Sequence, residues 1–262
     1  MKTNRVKKVI QNGNIALGTY VSFADSQLVE IIGISGFDAA FIDMEHTAFD
    51  LGLVQSLIQA CDLSGITSIV RVPDNDEKLI LRILDMGAEG IVIPHVQGLD
   101  GAIKAVSSVR YPPMGKRGGA GTTRAARYGS VDWHEHVKES NREILLSVMV
   151  EDRKAIDEID EISQLEGIDL IAIGPTDLSQ ALGAVGPSDP RLMEEIQKIA
   201  ERVSRMGGPK LQIPMGHPAL PLTATDLKRL GVGYTHVAPA APSLLLKAFT
   251  DKVKQIHTEL KR

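Results

Sequence analysis

GFDAAFIDMEHTAFDLGLVQSLIQACDLSGITSIVRVPDNDEKLILRILDMGAEGIVIPH, residues 36–95, holds two repeats of one pattern and the strand that opens a third. A short apolar run (Asp38 to Asp43, Ile66 to Val72, Gly90 to Ile93) is followed by a longer stretch with apolar residues at helical spacing (Leu51 to Leu63, Asp76 to Met86, Gly101 to Val109). Ser64-Gly65 and Gly87 end the first two of those helices, and Pro73 stops the strand before the second. The strands read as continuous apolar runs instead of alternating ones, which suits parallel strands covered on both faces.

The same alternation extends in both directions. Ile15 to Ser22 is a strand and Ser26 to Ser35 a helix; Ile144 to Val150 and Ile168 to Ile173 are strands followed by helices at Arg153 to Leu165 and Pro190 to Met206. Leu211 to Ile213 and Tyr234 to Val237 are weaker strands, with helices at Thr225 to Leu230 and Pro242 to Leu260. About eight β-then-α units predict a closed (β/α)₈ barrel over an open doubly wound sheet, whose first turn would be glycine-rich. Residues 110–143 show no clear periodicity, and residues 207–222 hold four prolines. No linker or low-complexity break divides the chain, so residues 1–262 are read as one domain.

Composition narrows the function. The chain has 262 residues, 43% hydrophobic and 24% charged, with a net charge of −4. That balance gives no electrostatic draw toward nucleic acid. The single cysteine, Cys61, forbids an intramolecular disulfide. No apolar run approaches the ~20 residues of a membrane span, and Met1 to Ile10 lacks the apolar core of a signal peptide. A cytoplasmic protein without nucleic-acid or membrane partners is the expectation.

In such a barrel the chemistry stands where the strands end. Strand two ends in Asp43-Met44-Glu45-His46, strand three in Arg71, strand four in Pro94-His95-Val96-Gln97 and strand five in Glu151; strand six runs into Gly174-Pro175-Thr176-Asp177. Glu151 and Asp177 offer hard oxygen ligands to a divalent cation. His46 is suited to proton transfer near neutrality, and Arg71 presents a planar fork to a carboxylate or enolate oxygen. His134-x-His136 reads as a solvated pair, Arg117, Arg124 and Arg127 as loop charges, and Cys61 as core.

GFDAAFIDMEHTAFD (36–50), VRVPDND (70–76), LDMGAEGIVIPHVQ (84–97), RYPPMGKRG (110–118) and IGPTDLS (173–179) together resemble the HpcH/HpaI aldolases, metal-dependent class II pyruvate aldolases. The resemblance implies that Glu151 and Asp177 hold Mg²⁺, Mn²⁺ or Co²⁺, and that Arg71 stabilises the enolate of pyruvate. It implies that His46 and Asp85 form a dyad activating a water for proton transfer, that Gly174 and Thr176 seat the pyruvate carboxylate, and that Asp43 lies near the aldehyde. It further implies a homo-hexamer, a trimer of dimers, with Pro242 to Leu260 as an exchanged helix. The implied reaction cleaves a 4-hydroxy-2-oxo acid reversibly to pyruvate and an aldehyde. A related lyase or decarboxylase working through the same enolate, or a catalytically silent barrel, are the alternatives; a Schiff-base aldolase lacks a strand-end lysine. Three features depart from the family pattern. Met149 stands where glutamine is common, His95 where an apolar residue is usual, and the proline-rich stretch Gly208 to Pro221 follows it poorly.

Overall fold

The computed structural model describes residues 2–184 and 189–260. Its eight strands are β1 (Ala16–Val21), β2 (Ala39–Asp43), β3 (Thr67–Arg71), β4 (Gly90–Ile93), β5 (Leu145–Met149), β6 (Leu170–Ala172), β7 (Lys210–Gln212) and β8 (Val232–His236). They pair in parallel and in sequence order, and β8 returns to β1 to close the barrel. The helices are α1 (Arg5–Gln11), α2 (Ser26–Ile34), α3 (Leu51–Ser64), α4 (Glu77–Asp85), α5 (Gly98–Val109), α6 (Trp133–Glu143), α7 (Arg153–Asp157), α8 (Ile159–Ser163), α9 (Pro175–Ala181), α10 (Pro190–Met206), α11 (Ala224–Arg229) and α12 (Ala241–Glu259). Among the described residues no helix is long and apolar enough to cross a membrane.

Both strand faces are buried, each in its own apolar layer. Ala40, Ile42, Val70, Ile91, Leu146 and Ile171 pack outward against the helices. Ala16, Ala39, Phe41, Ile69, Val92, Leu145, Met149, Leu170 and Tyr234 fill the barrel interior. Double burial is why the strands lack polar alternation. Val6 of α1 belongs to the interior cluster, and Asn4, which caps α1, donates Nδ2 to Glu89 O at 2.9 Å and its main-chain N–H to Glu143. This helix therefore closes the N-terminal end of the barrel. Its seven residues are too few and too basic to stand out in the sequence.

Three loop readings change. His136 is buried against Trp133 and Tyr111, with ring centroids 5.4 and 5.8 Å away, so it is core and not half of a solvated pair. Arg117 is also buried, its guanidinium 4.4 Å over the Tyr111 ring. The aperiodic stretch from residue 110 is anchored by these aromatic contacts and contains α6. α12 has no buried residue, and Leu244, Leu245, Leu246, Phe249, Val253 and Ile256 on it are exposed, as is Leu260 just after it.

Candidate active site

Strand periodicity decides which side chains meet. Side chains two apart share a face, and Phe41, Ile69, Met149 and Tyr234 point into the barrel. Asp43, Arg71, Glu151 and His236 lie two residues further on, so the interior face carries them to the C-terminal mouth. There a cavity of about 330 Å³ is lined by Tyr20, Glu45, His46, Arg71, His95, Met149, Gly174, Thr176, Asp177, Gln212, His217 and His236, among others.

Arg71 is fixed from two sides. Its Nε and Nη2 donate to Asp43 Oδ1 and Oδ2 at 2.9 and 2.6 Å, and Nη1 lies 3.0 Å from Glu45 Oε2. A guanidinium has five N–H donors, so these three contacts leave one on each terminal nitrogen for the cavity. Both Asp43 oxygens are engaged and the carboxylate is buried behind Arg71. The structure thus places Asp43 directly behind Arg71. It holds Arg71, and its Oδ1 also accepts the Glu45 main-chain N–H at 3.0 Å.

Glu151 and Asp177 come from adjacent barrel units and converge on Gly174. A Cβ at Gly174 would lie 2.6 Å from Glu151 Oε2 and 3.6 Å from Asp177 Oδ2, so glycine keeps that space open between the carboxylates. Glu151 Oε1 accepts the His95 main-chain N–H at 2.8 Å, whereas Oε2 is buried with no hydrogen-bond partner. Burial raises the Glu151 pKa; the His95 N–H and ring charge offset part of this, and the nearby Asp177 and Glu45 charges add to it. An acidic oxygen left unpaired in a buried pocket beside a second carboxylate is costly unless a cation occupies it, and two hard oxygens suit a divalent ion. The residues present therefore fit one. Among the described residues no three His, Cys, Asp or Glu side chains form a complete metal cage, which leaves coordination positions for other ligands.

His46 is exposed at the mouth, its Nε2 3.7 Å from Glu45 Oε2. Within the chain Asp85 does not join it. Asp85 ends α4, which runs back from the mouth to the other end of the barrel, and its Oδ1 accepts from Arg117 Nη2 at 3.0 Å. The spacing of the LDMGA string carries no information about that reversal, so the dyad expected from it is corrected for a single chain.

Several lining residues escaped sequence reasoning. Tyr20 Oη and His236 Nε2 are 2.9 Å apart across the β1–β8 seam, against Phe41. Burial, reinforced by the Arg71 and His217 charges, pushes His236 down to about 3. Burial raises Tyr20 to about 12, partly relieved by Arg71. His217, whose Nδ1 accepts from Ala219 N–H at 3.1 Å, is likewise lowered by burial. The weak eighth strand and the proline-rich stretch gave His236 and His217 no periodic signal; Tyr20 lies in the well-marked first strand, where a lone tyrosine carries no motif. Gln212, which accepts from Ser147 Oγ at 2.8 Å, lies at the end of the equally weak β7.

The family described as HpcH/HpaI aldolase/citrate lyase matches residues 16–212. The 5-keto-4-deoxy-D-glucarate aldolase of Citrobacter koseri is 33% identical over 251 residues, 95% of each chain. The hydroxypyruvate/pyruvate aldolase of Sagittula stellata is 36% identical over 207 residues, 79% of this chain and 81% of that one. Among solved structures, an HpcH/HpaI aldolase from Desulfitobacterium hafniense superposes with a TM-score of 0.85 at 28% identity, covering 96% of both chains.

Proposed function

The chain belongs to the HpcH/HpaI aldolase/citrate lyase family, and on that premise we propose how its site works. It is a class II aldehyde-lyase, which reversibly cleaves a 4-hydroxy-2-oxo acid to pyruvate and an aldehyde. Divalent-metal dependence is general in this family. The observation that carries the site assignment is the unpaired, buried Glu151 Oε2 facing Asp177 across Gly174.

Glu151 and Asp177 would hold Mg²⁺, Mn²⁺ or Co²⁺. Such a cation supplies Lewis-acid stabilisation of the charge that develops when a 2-oxo acid becomes an enolate. Arg71 contributes the two N–H groups it has left, held at a fixed angle by Asp43 and Glu45, so no reorganisation is needed as the enolate oxygen gains charge. In the first turn of α9, beside Gly174 and Thr176, main-chain N–H groups lack intrahelical acceptors, and there they seat the pyruvate carboxylate. His46, exposed at the mouth and near Glu45, carries the proton to or from the substrate hydroxyl. In the cleavage direction that proton leaves the 4-hydroxyl, the C3–C4 bond breaks to give aldehyde and enolate, and a proton returns to C3 to yield pyruvate. Tyr20, His217 and Gln212 form the wall against which the aldehyde portion rests.

We further propose a homo-oligomer, a trimer of dimers, in which α12 leaves its own barrel for a neighbour. The support is an apolar helix face with no buried residue, the kind of contiguous exposed apolar surface that marks an interaction site.

Exchange of pyruvate methyl protons in D₂O, followed by NMR, tests the reading without knowledge of the aldehyde. Chelator-stripped protein should give no exchange, and Mg²⁺ should restore it. No exchange with any of the three cations in folded protein overturns the assignment of enolate chemistry to this site.

A further inference from the structure

His95, two residues beyond β4, lines the mouth and is left unused by the mechanism above. It adopts φ +50°, the left-handed region that glycine enters freely and other residues rarely occupy. Strain of this kind persists where surrounding contacts hold it, often at functional sites. Here the contacts are specific. The main-chain N–H of His95 donates to Glu151 Oε1 at 2.8 Å, and its Nδ1 lies 3.0 Å from the same oxygen. Nε2, on the other side of the ring, lies 3.0 Å from Glu45 Oε1, while Glu45 Oε2 meets Arg71 Nη1. One imidazole therefore spans the gap between the arginine and the carboxylate pair, although its side chain is 61% exposed and adds little to the core.

We propose that His95 is a positioning residue for the cation site: its main-chain N–H and Nδ1 together occupy Glu151 Oε1, so that Oε2 alone is presented toward Gly174 and Asp177, and Nε2 ties this arrangement through Glu45 to Arg71. The inference rests on the reading that Glu151 and Asp177 hold a divalent ion. Partners that orient a metal-binding side chain commonly alter metal affinity by about 10–100-fold when removed. The left-handed backbone provides an independent handle. His95→Gly removes the ring, keeps the main-chain N–H and suits the φ value, so relief of the backbone offsets part of the cost of withdrawing the ring from Glu45 and Glu151, and the metal-free protein should stay folded. His95→Asn tolerates the same φ and puts an N–H near the place of Nδ1, but it cannot reach Glu45.

The test is Mn²⁺ binding to chelator-stripped protein, measured by the EPR signal of free Mn²⁺, with melting temperature recorded for each metal-free variant. His95→Gly should weaken Mn²⁺ binding about tenfold or more in a metal-free protein that still melts cooperatively. His95→Asn should recover part of that affinity. Glu45→Gln should weaken binding in the parent and have a smaller effect beside His95→Gly, because the two act through one contact. Glu151→Gln should abolish binding. If His95→Gly binds Mn²⁺ within twofold of the parent while Glu151→Gln does not bind, the positioning role is refuted and the cation site stands. If Glu151→Gln binds as the parent does, the cation-site reading itself fails and takes the positioning role with it.

Discussion

Replacing Arg71 by alanine should damage stability and rate through separable causes. Asp43 and Glu45 have side chains 7% and 10% exposed, and both contact the guanidinium. Removing one partner of a buried ion pair costs about 3–5 kcal/mol, because the other charge stays buried and unpaired. Glu45 retains His95, so the lower end, about 3 kcal/mol, applies. An unfolding entropy of about 2.1 cal/mol/K per residue gives about 0.55 kcal/mol/K for this chain, and hence a melting temperature lower by about 5 °C. The rate loss has another origin: the two remaining N–H groups no longer meet the developing oxyanion, a loss of about 10²–10³-fold. Adding Asp43→Asn to Arg71→Ala neutralises the stranded carboxylate but keeps an acceptor for the Glu45 N–H. The double variant should regain about 2 °C and none of the rate. Scanning calorimetry and Mg²⁺-dependent pyruvate proton exchange read the two effects independently. An Arg71→Ala protein that melts with the parent, or exchanges within tenfold of it, refutes the anchoring and oxyanion roles respectively. A double variant that melts lower than the single one refutes the stranded-charge account.

Acid sensitivity should trace in part to His236. Its folded pKa of about 3 lies below the unfolded value of about 6.5, so between those values the unfolded chain binds the extra proton and stability falls as pH falls, by about 1.4 kcal/mol per pH unit. Between pH 6.5 and 5, His236→Gln should lose about 2 kcal/mol less than the parent in denaturant titrations; equal losses would show that burial does not hold His236 neutral. Leu246→Asp with Phe249→Asp, both on the exposed face of α12, should lower the mass seen by light scattering while leaving far-ultraviolet circular dichroism unchanged. An unchanged mass would remove α12 from the assembly.

How much was legible beforehand depends on the range of the interaction. Apolar runs alternating with helical spacing reflect local geometry and two-sided burial, so the barrel and all eight strands could be read from the sequence, with ends displaced by only a few residues. The grouping of Arg71, Glu151, Asp177 and His46 at one mouth was legible for the same reason, since parallel strands all end on the same side. What a short helix or a loop does was hidden: α1 closes the barrel through Asn4 and Val6, and His136 and Arg117 are buried by aromatic neighbours outside any periodic pattern. Pairings across the mouth belong wholly to the tertiary structure. Strand parity sends Asp43 inward, but only the β2–β3 register, Asp43 opposite Arg71, turns it into the arginine's anchor. Likewise, only the antiparallel return of α4 separates Asp85 from His46 and gives it to Arg117. The sequence by itself determines which residues reach the end of a strand, because that follows from a period of two. Strand register and barrel closure decide which of them touch, because those contacts join separate strands and depend on angles and distances that no local pattern encodes.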